Sequence, residues 1–304
     1  MAQSVPKAAV GMRPRLACEI RAEGVIAARA ASDRRGSEIV LAWASLPEGA
    51  VAPGLKAPNL LDRGAVVEAL EKSLGEVNAR NRELTLVIPD PAARVLLLDF
   101  DTLPPKRPEA LSVVRFRLRK MVPFDVESAA VSYQVMAAKT GALSVLVTVM
   151  PGDVLADYES AVRDAGYEPG AVLPSTLAAV AAVDWSGPTL VVNHSPGSVT
   201  TAITQEEEML LHRSVDLPGE AAAREEEMAQ AVITTLAWYE DTLSATPGSL
   251  YYSGMGGAAA AEQSRWLQYV DRAPRIEDLA PANGASAMTS VPAGVTAAVA
   301  GALA

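Results

Sequence analysis

The sequence has very little cysteine, histidine or aromatic residue. Its 304 residues include one cysteine, two histidines, three phenylalanines and four tryptophans. The single cysteine, Cys18, excludes an intrachain disulfide and is typical of a reducing compartment. Cys18, His194 and His212 do not have the spacing of zinc ligands, so no metal site is expected. With so few aromatic residues, the core is expected to consist mainly of Ala, Val and Leu.

Long apolar runs and positive net charge are also absent. No segment reaches the roughly 20 consecutive apolar residues that span a bilayer, and Met1–Val10 lacks the apolar run of a secretory signal. The net charge is −10, which disfavours nucleic acid and anionic lipid as partners. We therefore expect a soluble, cytoplasmic protein that does not bind nucleic acid.

The order of the predicted elements occurs twice. Each copy has three strands, then a helix, then a further strand. The first copy is predicted at Arg15–Ile20, Gly24–Ala31, Glu38–Ala44, Arg63–Arg80 and Leu84–Ile88. The second is predicted at Thr189–Asn193, Val199–Thr204, Met209–Val215, Gly219–Leu243 and Ser249–Tyr252, with a further helix at Gly256–Tyr269. Such a unit is ribonuclease-H-like, and two of them predict an α/β, actin-like fold.

Additional elements separate the two copies. They are predicted as strands at Arg94–Phe100, Ala129–Ala138 and Leu143–Val149 and helices at Arg107–Met121 and Val154–Ala165. In the first of these helices, Leu111, Val114, Leu118 and Met121 share one side. We therefore expect a first actin-like half over residues 1–184, with an α+β subdomain inserted at about 90–166. The second half covers 185–304, and its C-terminal helix is expected to pack back on the first.

The segment Leu86–Met136 resembles the PilM family of type IV pilus assembly proteins, which are relatives of FtsA and GspL in the actin-like ATPase superfamily. In that family a helix ends at an Ile-Pro-Phe tripeptide, followed by an acidic residue and a strand. Here the chain reads RFRLRKMVPFDVESAAVSYQVM, so the corresponding residues begin at Val122 and include Asp125. A helix stop at Pro123 with a core Phe124 is the alternative interpretation of the tripeptide.

The resemblance implies a cytoplasmic scaffold that binds the short N-terminal tail of the inner-membrane protein PilN. That partner would hold the chain peripherally at the cytoplasmic face of the inner membrane, and self-association into a homo-oligomer is left open. The tail is expected to bind as an extended segment in a groove between the first half and its insertion. The residues expected to contact it are Arg119, Pro123, Phe124 and Tyr133.

The phosphate-binding segments of an actin-like ATPase are only partly present. In such enzymes two hairpins each carry an acidic residue at a strand end, followed by small residues whose N–H groups face the phosphates. In the first hairpin Glu19 occupies the position of the acid, but Arg21, Ala22 and Glu23 replace the small turn. The acids orient Mg²⁺ and the attacking water, so changes here predict poor hydrolysis.

In the second hairpin, Asn193 replaces the expected Asp. The glycine-rich turn near Gly254 is the best preserved, although an ordinary strand-to-helix turn has the same pattern. We therefore expect a degenerate ATP cleft, no catalytic residues, and neither ATP nor Mg²⁺ as a required cofactor. The candidate nucleotide-binding residues are Glu19, Asn193, Gly197, Ser198, Thr200, Gly254, Gly256 and Gly257.

Other features of the sequence suggest further possibilities. A basic group comprises Lys106, Arg107, Arg115, Arg117, Arg119 and Lys120. It is interpreted either as a solvated helix face or as a surface that faces an anionic membrane or an acidic partner. The enzymatic alternative is an active actin-like ATPase or small-molecule kinase, which needs both phosphate-site acids. An FtsA-like filament protein is disfavoured because no Lys or Arg follows Arg275. A GspL-like protein would add a transmembrane helix and a periplasmic domain.

Overall fold

The computed structural model describes residues 13–33, 36–78, 80–139, 142–183, 187–206, 208–245, 249–254, 275–278, 285–292 and 294–304. The first part of the chain contains β1 (Leu16–Ile20), β2 (Gly24–Asp33), β3 (Gly36–Ser45), α1 (Arg63–Glu76) and β4 (Glu83–Ile88). The middle contains β5 (Arg94–Phe100), α2 (Arg107–Leu118), β6 (Ala130–Lys139), β7 (Ala142–Met150), α3 (Gly152–Asp164), β8 (Glu168–Pro174) and α4 (Ser175–Val180). The last part contains β9 (Thr189–Ser195), β10 (Ser198–Gln205), β11 (Glu208–Asp216), α5 (Ala221–Leu243), β12 (Ser249–Ser253), β13 (Arg275–Asp278), β14 (Ala285–Ala287) and α6 (Ala297–Ala302).

The two main sheets have the same topology. One has the strand order β14-β3-β2-β1-β4-β8, and the other has the order β11-β10-β9-β12-β13. In each sheet three consecutive strands are antiparallel, and the strand after the crossover helix then pairs parallel to the first of them. The repeated unit predicted from the sequence is therefore confirmed. The helix predicted at Gly256–Tyr269 lies outside the described residues.

Strand β8 is an element that the sequence pattern did not predict. It pairs parallel to β4 and extends the first sheet, but it contains Pro169, Gly170 and Pro174. Proline has no N–H for the ladder and glycine adds no side chain to the pattern, so the segment has a weak strand signal. Its place at the end of the strand order tolerates both residues.

The core of the first half lies between α1, α3 and the six-stranded sheet. Leu70 and Leu74 of α1 are fully buried there beside Val154 and Tyr158 of α3. The inserted subdomain was predicted to include the α3 segment and to end near residue 166. Because α3 packs in the core of the first half, the insertion instead consists of β5, α2, β6 and β7 and ends at Met150.

The insertion is a three-stranded sheet of order β5-β7-β6 with α2 on one face. Val114 and Leu118 of α2 are fully buried against it. Met121 was expected on the same apolar stripe, but it is 45% exposed because the regular helix ends at Leu118. The last helical hydrogen bond runs from Val122 N to Leu118 O (3.2 Å), and Pro123, which has no N–H, cannot extend the series.

Helices α4 and α6 pack against each other between the two main sheets. Helix α4 contacts β9 and β10 of the second sheet and also β4 and β8 of the first, and α6 contacts β1, β2 and β4 of the first sheet. The helices approach so closely that a Cβ atom at Gly301 would lie 1.9 Å from the carbonyl oxygen of Ala178. The regular part of the expected C-terminal helix is limited to α6. None of the described helices is long and apolar enough to cross a membrane.

Candidate functional site

A cavity of about 590 Å³ lies between the two halves of the chain. It is bordered by the turn after β1, by the β9–β10 turn, by the end of β4 and by the loop at residues 53–56. The carboxyl ends of the parallel strands β4 and β8 and of β9 therefore open into the same space. In α/β folds such crevices outside the carboxyl ends of strands are the usual place for a ligand.

Glu19 and Arg21 form an ion pair inside this cavity. A guanidinium nitrogen of Arg21 lies 3.1 Å from Glu19 Oε1. The side chain of Arg21 is only 5% exposed and that of Glu19 only 1%. Ser175 Oγ donates a second hydrogen bond of 2.6 Å to the same carboxylate oxygen. Burial raises the pKa of Glu19, while Arg21 and Ser175 act in the opposite direction. The acid at the first predicted hairpin is thus already paired within the protein.

Asp90 is the centre of a second buried network. It directly follows Pro89 at the end of β4, and its Oδ1 accepts a hydrogen bond of 2.9 Å from the backbone N–H of Thr176. Thr176 Oγ1 donates to Oδ2 of the same carboxylate. From the other half of the chain, Asn193 Nδ2 donates to Asp90 Oδ2 (3.3 Å) and to Ser175 Oγ (3.1 Å). These bonds connect the C-terminal part of β9 to the ends of β4 and β8.

The second predicted hairpin is present, but its candidate residues have different surroundings. Asn193 and Gly197 line the cavity. Ser198 is not among the lining residues, and its hydroxyl lies 2.8 Å from that of Ser195. Thr200 is fully buried in β10 and donates a hydrogen bond of 3.0 Å to Ser214 Oγ. Two of these four candidates therefore face the space that a ligand would occupy.

The backbone around Gly254 explains why glycine is needed there. Gly254 has φ +98°, and a Cβ atom at this position would lie 1.9 Å from the carbonyl oxygen of His194. Its N–H donates to Gly294 O at 2.7 Å. A left-handed backbone and this close approach both require glycine whether or not a nucleotide binds. Gly256 and Gly257 lie outside the described residues.

The charges around the cavity are mixed. Its lining includes the cations Arg21, Lys56 and Arg94 as well as the acids Glu19, Asp90 and Asp216. Among the described residues, no group of three or more His, Cys, Asp or Glu side chains is arranged to hold a metal ion. Two of these acids, Glu19 and Asp90, already accept hydrogen bonds within the protein, which reduces the oxygen ligands that they could offer to Mg²⁺.

Asp90, Ser175 and Thr176 were not predicted as site residues from the sequence. Asp90 had a recognisable signal, since it follows a short apolar strand that was predicted to be parallel, and such strand ends carry functional groups. Ser175 and Thr176 follow β8, which was itself missed. The ion pair between Glu19 and Arg21 could also have been predicted from the sequence. The two residues are of opposite charge and two positions apart, and residues i and i+2 of an extended segment share one face.

The residues expected to contact a partner lie in and beside the insertion. Arg119 is exposed and forms an ion pair of 2.6 Å with Glu127. Pro123 is exposed and borders the cavity. Phe124 and Tyr133 are partly buried and pack against the core of the insertion, and for Phe124 this agrees with the alternative interpretation of the tripeptide. Tyr133 lies on β6, which is an outer strand of the three-stranded sheet.

Comparison with known structures identifies the architecture. The structure is similar to one described as a PilM–PilN type IV pilus biogenesis complex, with a TM-score of 0.77 and 17% sequence identity over 95% of this chain and 98% of that one. It is also similar to a protein of Bacteroides thetaiotaomicron described as having an actin-like ATPase fold, with a TM-score of 0.50, 9% identity and coverage of 88% and 91%. The chain has an actin-like fold.

A third similar structure with this actin-like fold is the cytoplasmic domain of EpsL, an inner-membrane component of the type II secretion system of Vibrio cholerae. Its TM-score is 0.50 and its identity 14%, with coverage of 95% of this chain and 92% of that one. No protein-family model and no curated protein matches the sequence itself. The structural resemblance to PilM expected from the segment at 86–136 is confirmed at the level of the fold.

Proposed function

We propose that this actin-like chain is a scaffold of a type IV pilus or related secretion platform at the cytoplasmic face of an inner membrane. The observation that carries the proposal is the similarity to the PilM–PilN complex, which extends over nearly the whole of both chains. The similarity to the EpsL cytoplasmic domain supports the same class of assembly. In this role the chain binds the N-terminal tail of a PilN-like membrane protein.

The proposed binding site for that tail is the outer edge of β6 together with Phe124. Strand β6 pairs with β7 on one side, and an extended peptide adds to the free edge of such a sheet through backbone hydrogen bonds. Tyr133 is half-buried on this strand and Phe124 lies in the segment that leads into it. Pro123 continues the same surface towards the cavity. Apolar side chains of the peptide would pack against these residues.

A synthetic tail of a PilN-like protein tests this proposal. Fluorescence anisotropy with the labelled peptide is expected to show saturable binding, and Tyr133→Ala is expected to weaken it by about tenfold, as for an aromatic residue at the centre of an interface. The matched control is Gln134→Ala, because Gln134 is exposed on the opposite face of the same strand. Absence of binding to the unsubstituted protein, or equal losses of affinity in both variants, would contradict the proposed binding site at the edge of β6.

We further propose that the cleft does not hydrolyse ATP. Hydrolysis requires free acids to orient Mg²⁺ and water. Here Glu19 is buried and paired with Arg21, and Asn193 provides an uncharged amide where a second acid is needed. In this proposal the polar residues of the cleft serve only to hold the two halves together. An active ATPase or kinase would have to break the Glu19–Arg21 pair before it could bind a metal ion there.

A further inference from the structure

Helix α2 exposes large apolar side chains on the side that faces away from the protein. Val114 and Leu118 point into the insertion core, and Phe116, on the opposite side of the helix, is 69% exposed. Val113 is 38% exposed, and Met121 in the turn after the helix is 45% exposed. Several large apolar side chains exposed together mark an interaction site more often than a single one does.

This face is the outermost layer of the insertion. The opposite face of the three-stranded sheet carries Leu97 and Leu146, which pack towards the core between the two halves. Strands β5 and β6 both contact β11 of the second half on that side. The sheet therefore separates α2 from the body of the protein, and the exposed side of α2 protrudes into solvent.

The basic residues of α2 divide into those with an intramolecular partner and those without one. Arg115 donates hydrogen bonds to the carbonyl oxygens of Val126 and Ala129 and is therefore part of the insertion's own structure. Lys106 and Arg119 form ion pairs, with Glu109 at 3.2 Å and Glu127 at 2.6 Å respectively.

Arg107, Arg117 and Lys120 are exposed and form no ion pair among the described residues, and of these Arg117 and Lys120 lie within about one turn of Phe116. We name Val113, Phe116, Arg117, Lys120 and Met121 the α2 surface. One further carboxylate, Asp125, is exposed in the following loop, where it accepts the N–H of Glu127 at 3.0 Å. The α2 surface thus combines apolar side chains with two free cations in a chain whose net charge is −10.

We propose that the α2 surface docks directly on an anionic lipid bilayer. Charges more than about 10 Å apart are largely screened at 0.1 M ionic strength, so a bilayer in contact with α2 interacts with the local cations more than with the distant acids. Interfacial membrane anchors likewise combine Lys and Arg with exposed apolar side chains such as Phe. Binding of this surface to lipid is independent of the proposed partner tail.

The shape and charge of the surface favour a bilayer over two other occupants. An extended peptide needs a groove or a sheet edge, whereas a single protruding helix face fits a plane. A twofold contact between two copies would bring Arg117 and Lys120 of both copies into one interface, and this accumulation of like charge is unfavourable. A bilayer of anionic lipid accepts the apolar side chains and the cations at the same time.

Co-sedimentation with lipid vesicles tests the proposal without any partner protein. The full chain is mixed at low salt with vesicles of pure phosphatidylcholine or of equal parts phosphatidylcholine and phosphatidylglycerol. We expect binding to the anionic vesicles alone and a decrease at high salt. Arg117→Glu with Lys120→Glu is expected to reduce partitioning by about twentyfold or more, since each basic residue near such a surface contributes about fivefold. Phe116→Ser with Met121→Ser is expected to abolish most of the remainder.

Matched controls separate this site from general surface effects. Lys72→Glu with Arg80→Glu reverses two exposed cations outside the insertion, and Leu61→Ser removes another apolar side chain that is 59% exposed. Both controls are expected to bind anionic vesicles as the unsubstituted chain does. Failure of the unsubstituted chain to bind these vesicles, or equal losses in controls and α2 variants, would overturn the proposal. The proposal would also be overturned if the chain self-associated without lipid and Phe116→Ser abolished that self-association. The α2 surface would then bind a second copy of the chain.

Discussion

The guanidinium group of Arg21 reaches across the cleft and donates a hydrogen bond of 3.3 Å to the carbonyl oxygen of His194. Arg21 belongs to the first half of the chain and His194 to the second. The same guanidinium is paired with Glu19 at 3.1 Å. One buried side chain therefore neutralises an acid and connects the two halves.

Removal of the Arg21 cation is expected to destabilise the protein strongly. In Arg21→Met the buried Glu19 loses its ion-pair partner, and breaking a buried pair in this way costs about 3–5 kcal/mol. The measurement is the free energy of unfolding in urea. Combining Arg21→Met with Glu19→Gln removes both charges and should recover a large part of the loss. If the double variant is no more stable than Arg21→Met, the ion pair is not the source of the effect.

Titration with nucleotide is expected to reveal little or no specific binding of Mg-ATP. Because Glu19 is internally paired and Asn193 carries no charge, a bound Mg²⁺ would gain little at these positions. We expect any dissociation constant to be about 1 mM or weaker. We also expect the same value without Mg²⁺, since Lys56 and Arg94 of the cavity lining would bind the phosphates directly. Isothermal calorimetry in the presence and absence of Mg²⁺ measures both quantities. Tight, Mg²⁺-dependent binding with steady turnover would refute the proposed loss of hydrolysis.

Substitution of Gly254 is expected to be far more costly than substitution of Gly197. Alanine at position 254 would have φ near +98° and a Cβ atom 1.9 Å from His194 O. A non-glycine residue forced into such a conformation costs about 1–3 kcal/mol before the steric clash is added. No atom lies within 4 Å of a Cβ atom at Gly197, so Gly197→Ala, in the β9–β10 turn, serves as the control. Thermal unfolding of the two variants gives the comparison, and similar melting temperatures would contradict this reading of the backbone.

The start of helix α5 predicts a dependence of stability on pH. The pKa of Glu220 is lowered because its carboxylate accepts the N–H groups of Ala223 and Ala222, at 2.8 and 3.2 Å. A lowered pKa means that the stabilisation is present above the ordinary value of 4.5 and disappears as the pH falls through the pKa of the folded state. Glu220→Ala should therefore be less stable than the unsubstituted protein at neutral pH, and the difference should vanish in acid.

Urea unfolding at several pH values measures the contribution of Glu220. Glu220→Gln is the control, since its amide oxygen accepts one hydrogen bond but does not titrate. The difference in the free energy of unfolding between Glu220→Gln and the unsubstituted protein should also decrease in acid. Protonation weakens the carboxylate as a hydrogen-bond acceptor and leaves the amide unchanged. A difference between Glu220→Ala and the unsubstituted protein that is constant with pH would show that the carboxylate does not cap α5.

The repeated topology was predictable because it depends on hydrophobic periodicity within single segments. The strands around Cys18 and Val192 and the helices that begin at Arg63 and Ala221 have this signal. The network at Asp90 was not predictable in the same way. It depends on the parallel pairing of β4 with β8, which brings Asp90 to Thr176, and on the packing of two halves that brings Asn193 to both. Neither the register nor the packing of the halves is encoded in a local pattern.

The error at Met121 has a different physical origin. Helical periodicity places it one turn beyond Leu118, on the buried stripe. The chain instead leaves the regular helix at Leu118, so the side chain no longer follows the helical rotation. The sequence does contain the reason, since Pro123 prevents further helical hydrogen bonds, but the period alone does not fix how many residues before a proline the regular helix ends.

The contact of Gly301 with Ala178 makes position 301 intolerant of any side chain. Helices α4 and α6 meet there at backbone distance, since a Cβ atom at residue 301 would lie 1.9 Å from the carbonyl oxygen of Ala178. A larger residue would push the two helices apart, and this helix pair lies between the two main sheets. A glycine remote from the cleft therefore helps to set how closely the two halves approach one another.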